Sequence, residues 1–357
     1  MLEYEELARG RISAMAYDYI AGGGGAEETV RANRAAFARW RFLPRVLVDV
    51  SAVRTGVTLL GTPVAFPVLI APTAFHQLVH PEGEAATARA AAAAATLMVV
   101  STIANLPVEE VAAASDAPLW FQLYIHRDRE LTLELVRRAE AAGCRALVLT
   151  VDSPAFGRRD RDMRNAFHLP DGLVMGNLRD SPLEAPAPGV SGLFAYSHQL
   201  DPSLDWGSVE WLRATTRLPV LLKGVLAPAD AREALRRGAS GILVSNHGGR
   251  QLEGTVAALD ALPGVVAAVD GAVPVLLDGG VRRGTDVLKA LALGAAAVLV
   301  GRPVLWGLAV GGQDGVEHVL RLLRLELENA LRLAGQTDLH RLDPRILVPA
   351  PGSGAPC

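Results

Sequence analysis

The sequence predicts an α/β fold: a (β/α)8 TIM barrel with a helical N-terminal extension and a long loop after the fourth strand. Three observations lead there. Short apolar runs recur eight times, and most are separated by longer Ala-, Glu- and Arg-rich stretches that suit amphipathic helices. The runs are continuously apolar rather than alternating, the mark of strands covered on both faces. Polar residues gather at the C-terminal ends of at least seven runs, the end at which such barrels carry their active sites. A random scatter of strand-end polar residues would not mark one face so consistently.

Residues 1–50 precede the first run and read as helical. Gly22-Gly23-Gly24-Gly25 ends a helix there and is not a dinucleotide-binding loop, because no strand leads into it. Strands are expected at 68–71, 97–101, 119–123, 146–151, 220–223, 241–245, 275–278 and 297–301. Helices are expected between them, among others at 82–95, 128–142, 229–237 and 285–293. Eight such units favour a closed barrel over an open doubly wound sheet. Residues 170–206, rich in Pro, Gly and Ser, interrupt the alternation after the fourth strand, and a loop this long is a functional lid or a disordered segment. The tail 350–357 reads as flexible, and the whole chain, 1–357, as one domain.

The 357 residues are 50% hydrophobic with a formal net charge of −3, ample for a large core and no invitation to nucleic acid. The acidic N-terminus does not read as a signal peptide, no apolar run is long enough to span a membrane, and the last residues do not form a peroxisomal tripeptide. Two cysteines, Cys144 and Cys357, cannot build a disulfide framework, which fits a cytoplasmic protein. Cys144 is expected in the core and Cys357 exposed. Histidines 76, 80, 126, 168, 198, 318 and 340 show no metal-ligand spacing, so metal catalysis is disfavoured.

The richest segment is Ser245-Asn246-His247-Gly248-Gly249-Arg250-Gln251-Leu252, at the end of the sixth run. A neutral imidazole removes protons near pH 7, and a guanidinium grips a carboxylate with two parallel hydrogen bonds. Two glycines between them allow a sharp turn and close approach of a ligand. Together they point to chemistry on a small carboxylic acid that loses a proton next to its carboxylate. Asp152, ending the fourth strand, would orient the ring of His247 if the two meet. Arg159 is a candidate to reinforce the carboxylate site, while Arg158 reads as solvated. Lys223 ends the fifth strand; it faces the barrel mouth, pairs with Asp278 or Asp152, or does both. Asp278-Gly279-Gly280-Val281-Arg282 and Gly301-Arg302 follow the seventh and eighth strands, where barrels bind phosphate. The plainer alternative is a glycine turn with solvated arginines.

These segments resemble the FMN-dependent 2-hydroxy acid oxidizing family. The likeness extends in order through Ala16-Tyr17-Asp18-Tyr19, Ala71-Pro72-Thr73-Ala74, His80-Pro81-Glu82-Gly83-Glu84, Phe121-Gln122-Leu123-Tyr124, Leu149-Thr150-Val151-Asp152 and Leu222-Lys223-Gly224. It implies that His247, assisted by Asp152, takes a proton while a 2-hydroxy acid becomes a 2-keto acid and FMN is reduced. It implies that Arg250 and Tyr19, supported by Arg159, bind the substrate carboxylate and that Tyr124 hydrogen-bonds the substrate oxygen. For the flavin it implies contacts from Pro72, Thr73 and Ala74, pyrimidine-edge contacts from Ser101, Gln122 and Thr150, and charge stabilisation by Lys223. Ser245 and Asp278 would hold the ribityl chain; Gly279, Gly280, Arg282, Gly301 and Arg302 would hold the phosphate. The family also implies a homo-oligomer, tetramer or octamer.

Ile103 stands where glycolate oxidases carry tryptophan, leaving room for a larger substrate side chain, and Phe75 and Phe156 are expected in the same pocket. The expected activity is therefore oxidation of an (S)-2-hydroxy acid, mandelate-like or otherwise bulky, with O2 as acceptor and H2O2 as product. A dehydrogenase with another acceptor and a glycolate- or lactate-type oxidase are the alternatives within the class. A non-redox phosphate-binding barrel isomerase or lyase is the alternative outside it. A non-catalytic flavin-binding scaffold is a further one. The charged 170–206 loop argues against membrane attachment.

Overall fold

The computed structural model describes residues 2–179 and 196–352; the centre of the expected 170–206 lid and Cys357 lie outside them. Eight parallel strands close into a barrel: β4 (Val68–Ile70), β5 (Met98–Ser101), β6 (Leu119–Leu123), β7 (Leu147–Thr150), β8 (Val220–Val225), β9 (Gly241–Val244), β10 (Val275–Asp278) and β11 (Ala297–Val300). They neighbour one another in chain order, and β11 pairs back onto β4. The helices Gly83–Ala93, Arg129–Ala141, Pro228–Arg236 and Gly284–Ala292 lie where the sequence places them. Asp128 caps the second by accepting from the backbone N–H groups of Glu130 and Leu131.

Alternation along the strands separates two cores. Leu69, Val99, Trp120, Val148, Leu221, Leu243, Leu276 and Leu299 point inward and fill the barrel. Their neighbours, such as Val68, Val100, Phe121 and Leu147, pack outward against the helices. Two residues beyond each inward residue from Val99 to Leu276 stand Ser101, Gln122, Thr150, Lys223, Ser245 and Asp278. Period two therefore delivers these polar residues to the top layer of the interior. The opposite end is covered by the hairpin of β2 (Val57–Leu59) and β3 (Thr62–Val64), whose Leu59 and Val64 join the inner core.

The N-terminal extension forms helices Leu2–Arg9, Ala14–Ala21 and Glu28–Ala36, then β1 (Trp40–Phe42), which pairs antiparallel with β12 (Leu347–Pro349) near the other end of the chain. Gly22 caps the second of these helices. A segment of 32 residues, Arg302–Leu333, follows β11 and is kinked at Gly311 and Gly312. Cys144 is buried, and burial pushes its thiol up to about 12. No helix among the described residues is long and apolar enough to cross a membrane.

Candidate active site

A cleft of about 1100 Å³, mouth included, opens at the C-terminal end of the barrel strands. Tyr19, Pro72, Thr73, Ala74, Ser101, Ile103, Gln122, Tyr124, Thr150, Phe156, Arg159, Lys223, His247, Arg250, Asp278, Gly279, Gly280, Arg282, Gly301 and Arg302 all line it. Residues from every barrel strand end and from the N-terminal extension thus converge on one space.

The loop after β9 makes a tight turn. His247, Gly248 and Gly249 have φ of 58°, 63° and 76°, a left-handed run that costs a non-glycine residue energy and marks the imidazole position as imposed. The backbone N–H of His247 donates to Ser245 Oγ at 3.0 Å. Its Nδ1 lies 2.9 Å from Asp152 Oδ1. A carboxylate only accepts, so Nδ1 carries the proton and Nε2 keeps its lone pair. Burial, then the Lys223 ammonium, push the His247 pKa below the usual imidazole value, so the ring is a neutral base at pH 7. Burial opposes the charge on Asp152, but His247, Lys223 and the hydrogen bonds from His247 and Ser153 hold it down to about 2. The carboxylate fits beside β8 because residue 224 is glycine: a Cβ there would lie 2.5 Å from the Asp152 Cβ.

Arg250 Nη1 donates to the backbone oxygens of Tyr19 at 2.7 Å and Gly22 at 2.9 Å. Its guanidinium lies 4.9 Å from the Tyr19 ring centroid, and that of Arg159 5.5 Å from it. Arg159 pairs with Asp162 at 3.1 Å. Phe167 stacks on Tyr19 with centroids 4.2 Å apart. Burial, then the Asp152 charge, raise the pKa of the Tyr124 phenol, which therefore stays a hydrogen-bond donor.

Across the barrel mouth, Gln122 Nε2 donates to Thr150 Oγ1 at 3.0 Å and Ser101 Oγ donates to Gln122 Oε1 at 3.3 Å, a fixed polar strip over three neighbouring strands. Lys223 Nζ stands 3.8 Å from Asp278 Oδ2, beyond hydrogen-bonding distance. Lys223 Nζ, Asp278 Oδ1 and Arg282 Nε are buried without hydrogen-bond partners. Burial first, then neighbouring arginines, push Arg282 down to about 10 and Arg302 down to about 9. Such a concentration of buried cations beside a two-glycine turn is suited to an anion with polar edges.

Three expected residues lie elsewhere than in the cleft wall. Asp152 sits behind His247. Ser245 is fully buried, its hydroxyl accepting from the His247 backbone. Phe75 is also fully buried, its ring centroid 5.8 Å from that of Tyr19 and 6.5 Å from that of Phe167. The expectation that Phe75 lines the substrate pocket is thus corrected to a buttress. Arg302 has further duties: it donates to the backbone oxygens of Ile20, Gly22 and Gly248 at 2.8, 2.8 and 2.9 Å.

Residues outside the expected set also shape the site. Asn33 and Asn246 exchange two amide hydrogen bonds of 2.8 Å, and Asn33 packs against Gly279 and Gly280, tying the His247 loop to the glycine turn. A Cβ at Gly23 or Gly24 would lie 2.8 or 2.6 Å from the backbone oxygen of Gly249 or Gln251, so the glycine run also lets the extension press on the His247 loop. Neither role has a local sequence signal, since each depends on partners more than 200 positions away.

An α/β barrel carrying a desolvated imidazole base, an arginine at the mouth and a buried cationic cradle has the parts of a barrel enzyme that binds an anionic ligand. The chain belongs to the FMN-dependent dehydrogenase family, whose model matches residues 8–349. It is 55% identical over 354 residues to an L-lactate oxidase from Nostoc sp., covering 97% of both chains. It is 48% identical over 350 residues to glycolate oxidase 1 from Zea mays, covering 98% of this chain and 95% of that one. A crystal structure of mandelate oxidase with (S)-4-hydroxymandelic acid superposes with a TM-score of 0.92 at 47% identity, covering 97% of both chains. FMN is the cofactor of this family, and the partnerless Lys223, Asp278 and Arg282 atoms in the cleft fit its polar edges.

Proposed function

We propose that this chain oxidises an (S)-2-hydroxy acid to the 2-keto acid, with O2 as electron acceptor and H2O2 as product. The observation that supports the reading is His247, backed by Asp152, facing the same cleft as Arg250 and Lys223. Bound FMN supplies the two-electron acceptor. Gly279, Gly280, Arg282, Gly301 and Arg302 would hold its phosphate, and Asp278 its ribityl chain. Ser101, Gln122 and Thr150 would meet its pyrimidine edge, Lys223 its negative charge, and Pro72, Thr73 and Ala74 would also contact the flavin. His247 Nε2 takes the substrate proton, and Asp152 stabilises the imidazolium that results. Arg250, with Tyr19 and Arg159, binds the carboxylate, and the Tyr124 phenol donates to the substrate hydroxyl oxygen.

Ile103 and Phe156 supply the apolar wall for the substrate side chain, which supports a mandelate-like or otherwise bulky acid. The Nostoc relative supports a second reading, lactate. A substrate panel of glycolate, lactate and mandelate, compared by kcat/KM with peroxide yield under air, tests both. Failure of every 2-hydroxy acid to bleach the FMN-loaded protein anaerobically would overturn the activity, and rapid dye reduction with little peroxide would overturn the choice of acceptor. We further assign the protein to the cytoplasm as a homo-oligomer built from one barrel domain, a reading supported by the family likeness and by cysteine usage.

A further inference from the structure

The Asp152 carboxylate also accepts from a second side chain, one given no part in the proposed chemistry. Ser153 Oγ donates to Asp152 Oδ1 at 3.0 Å, the same oxygen that accepts from His247 Nδ1. Gln251 Nε2 donates to Ser153 Oγ at 2.5 Å and to the Asp152 backbone oxygen at 3.1 Å, while Gln251 Oε1 accepts from the Gly157 backbone at 2.8 Å. A hydroxyl that accepts from an amide on one side has its single proton free to point at the carboxylate on the other. Asp152 Oδ2 is buried without a hydrogen-bond partner, so one oxygen serves both His247 and Ser153. Ser153 is only 5% exposed, and water is a poor substitute there.

We propose that Ser153, aimed by Gln251, is a positioning residue for the proton-accepting pair: it fixes the plane of the Asp152 carboxylate and sets the proton affinity of His247. The inference deepens the functional reading above and rests on it. The hydroxyl draws negative charge toward itself and leaves less for the imidazole. Without it, Asp152 stabilises imidazolium more strongly and His247 holds its proton to higher pH. The other charged or titratable groups around the pair are Lys223 on β8, Arg250 on the His247 loop and Tyr124 after β6; the Ser153 side chain also hydrogen-bonds the Tyr124 phenol, which stays neutral across the acidic limb, so losing that bond changes no charge beside the pair.

The test compares FMN-loaded wild type with Ser153→Ala, Ser153→Thr and Gln251→Ala. The rate of anaerobic flavin bleaching by a 2-hydroxy acid is followed across pH, and the His247 ring is titrated by NMR. In Ser153→Ala the acidic limb and the NMR midpoint should both move up by about half a pH unit. Ser153→Thr should restore the wild-type limb, and Gln251→Ala should move it up by less. A Ser153→Ala profile that is lower at every pH but unmoved along the axis, or moved down, overturns the proposal. If Ser153→Ala does not fold, an unmoved or lowered limb in Gln251→Ala does the same. Wild-type protein that no 2-hydroxy acid bleaches overturns the functional reading itself, a separate result.

Discussion

Arg250 and Tyr19 hold each other twice: the guanidinium faces the phenol ring at 4.9 Å, and its Nη1 donates to the Tyr19 backbone oxygen at 2.7 Å. The cation that would grip a substrate carboxylate is therefore aimed by the N-terminal extension, not by the barrel alone. Arg250→Lys should raise KM about tenfold to a hundredfold with a smaller change in kcat, because an ammonium lacks both the fork and the flat face. Steady-state kinetics against substrate concentration check this; an unchanged KM would contradict it.

His247→Asn should leave FMN binding intact and slow flavin reduction by about 10²–10⁴-fold, the usual loss on removing a general base. Stopped-flow bleaching under anaerobic conditions measures it directly. Full activity in this variant would remove His247 from the chemistry.

The pH profile has a definite sign. Burial and Lys223 lower the His247 pKa, so the neutral base persists to more acidic pH than a free imidazole would. The value of kcat/KM should hold through the ordinary histidine range and fall only below it. Lys223→Met removes one of the lowering charges and should move that fall to higher pH.

Gly280→Ala should destabilise the protein by about 2–4 kcal/mol, since the residue has a left-handed φ and an added methyl would have to displace its neighbour. The φ is 85°, and the Cβ would sit 2.2 Å from the Asn33 backbone oxygen. Thermal unfolding and FMN content after purification should both fall.

Ile103→Trp should shift preference toward glycolate by narrowing the apolar wall. One or two methylene-sized changes are worth about 1–3 kcal/mol, so the ratio of kcat/KM for mandelate to that for glycolate should drop at least tenfold. An unchanged ratio would show that Ile103 does not face the substrate side chain.

The barrel was legible because its strands are unbroken apolar runs, and most strand boundaries agree within a residue or two. Period two then explains why six inward polar residues, from Ser101 to Asp278, share one layer with no local motif between them. β1 and β12 escaped because a three-residue pairing between Trp40–Phe42 and Leu347–Pro349 leaves no local pattern. Phe75 lies fully buried against Tyr19 and Phe167, long-range packing that adjacency to Ala74 does not reveal. The three carbonyl partners of Arg302 and the Asn33–Asn246 exchange depend on folds of the chain that no window of sequence contains.

The carbonyl oxygens of Ile20 and Gly22 accept from Arg302, and those of Tyr19 and Gly22 from Arg250. These are main-chain atoms, so their supply is indifferent to side-chain substitution but not to the path of the chain. Barrel grafts between relatives should consequently carry residues 13–36 with the recipient β9–β11 loops. A barrel begun at β4 would keep the base and both arginines but lose these four hydrogen bonds, leaving Arg302 only the Gly248 oxygen.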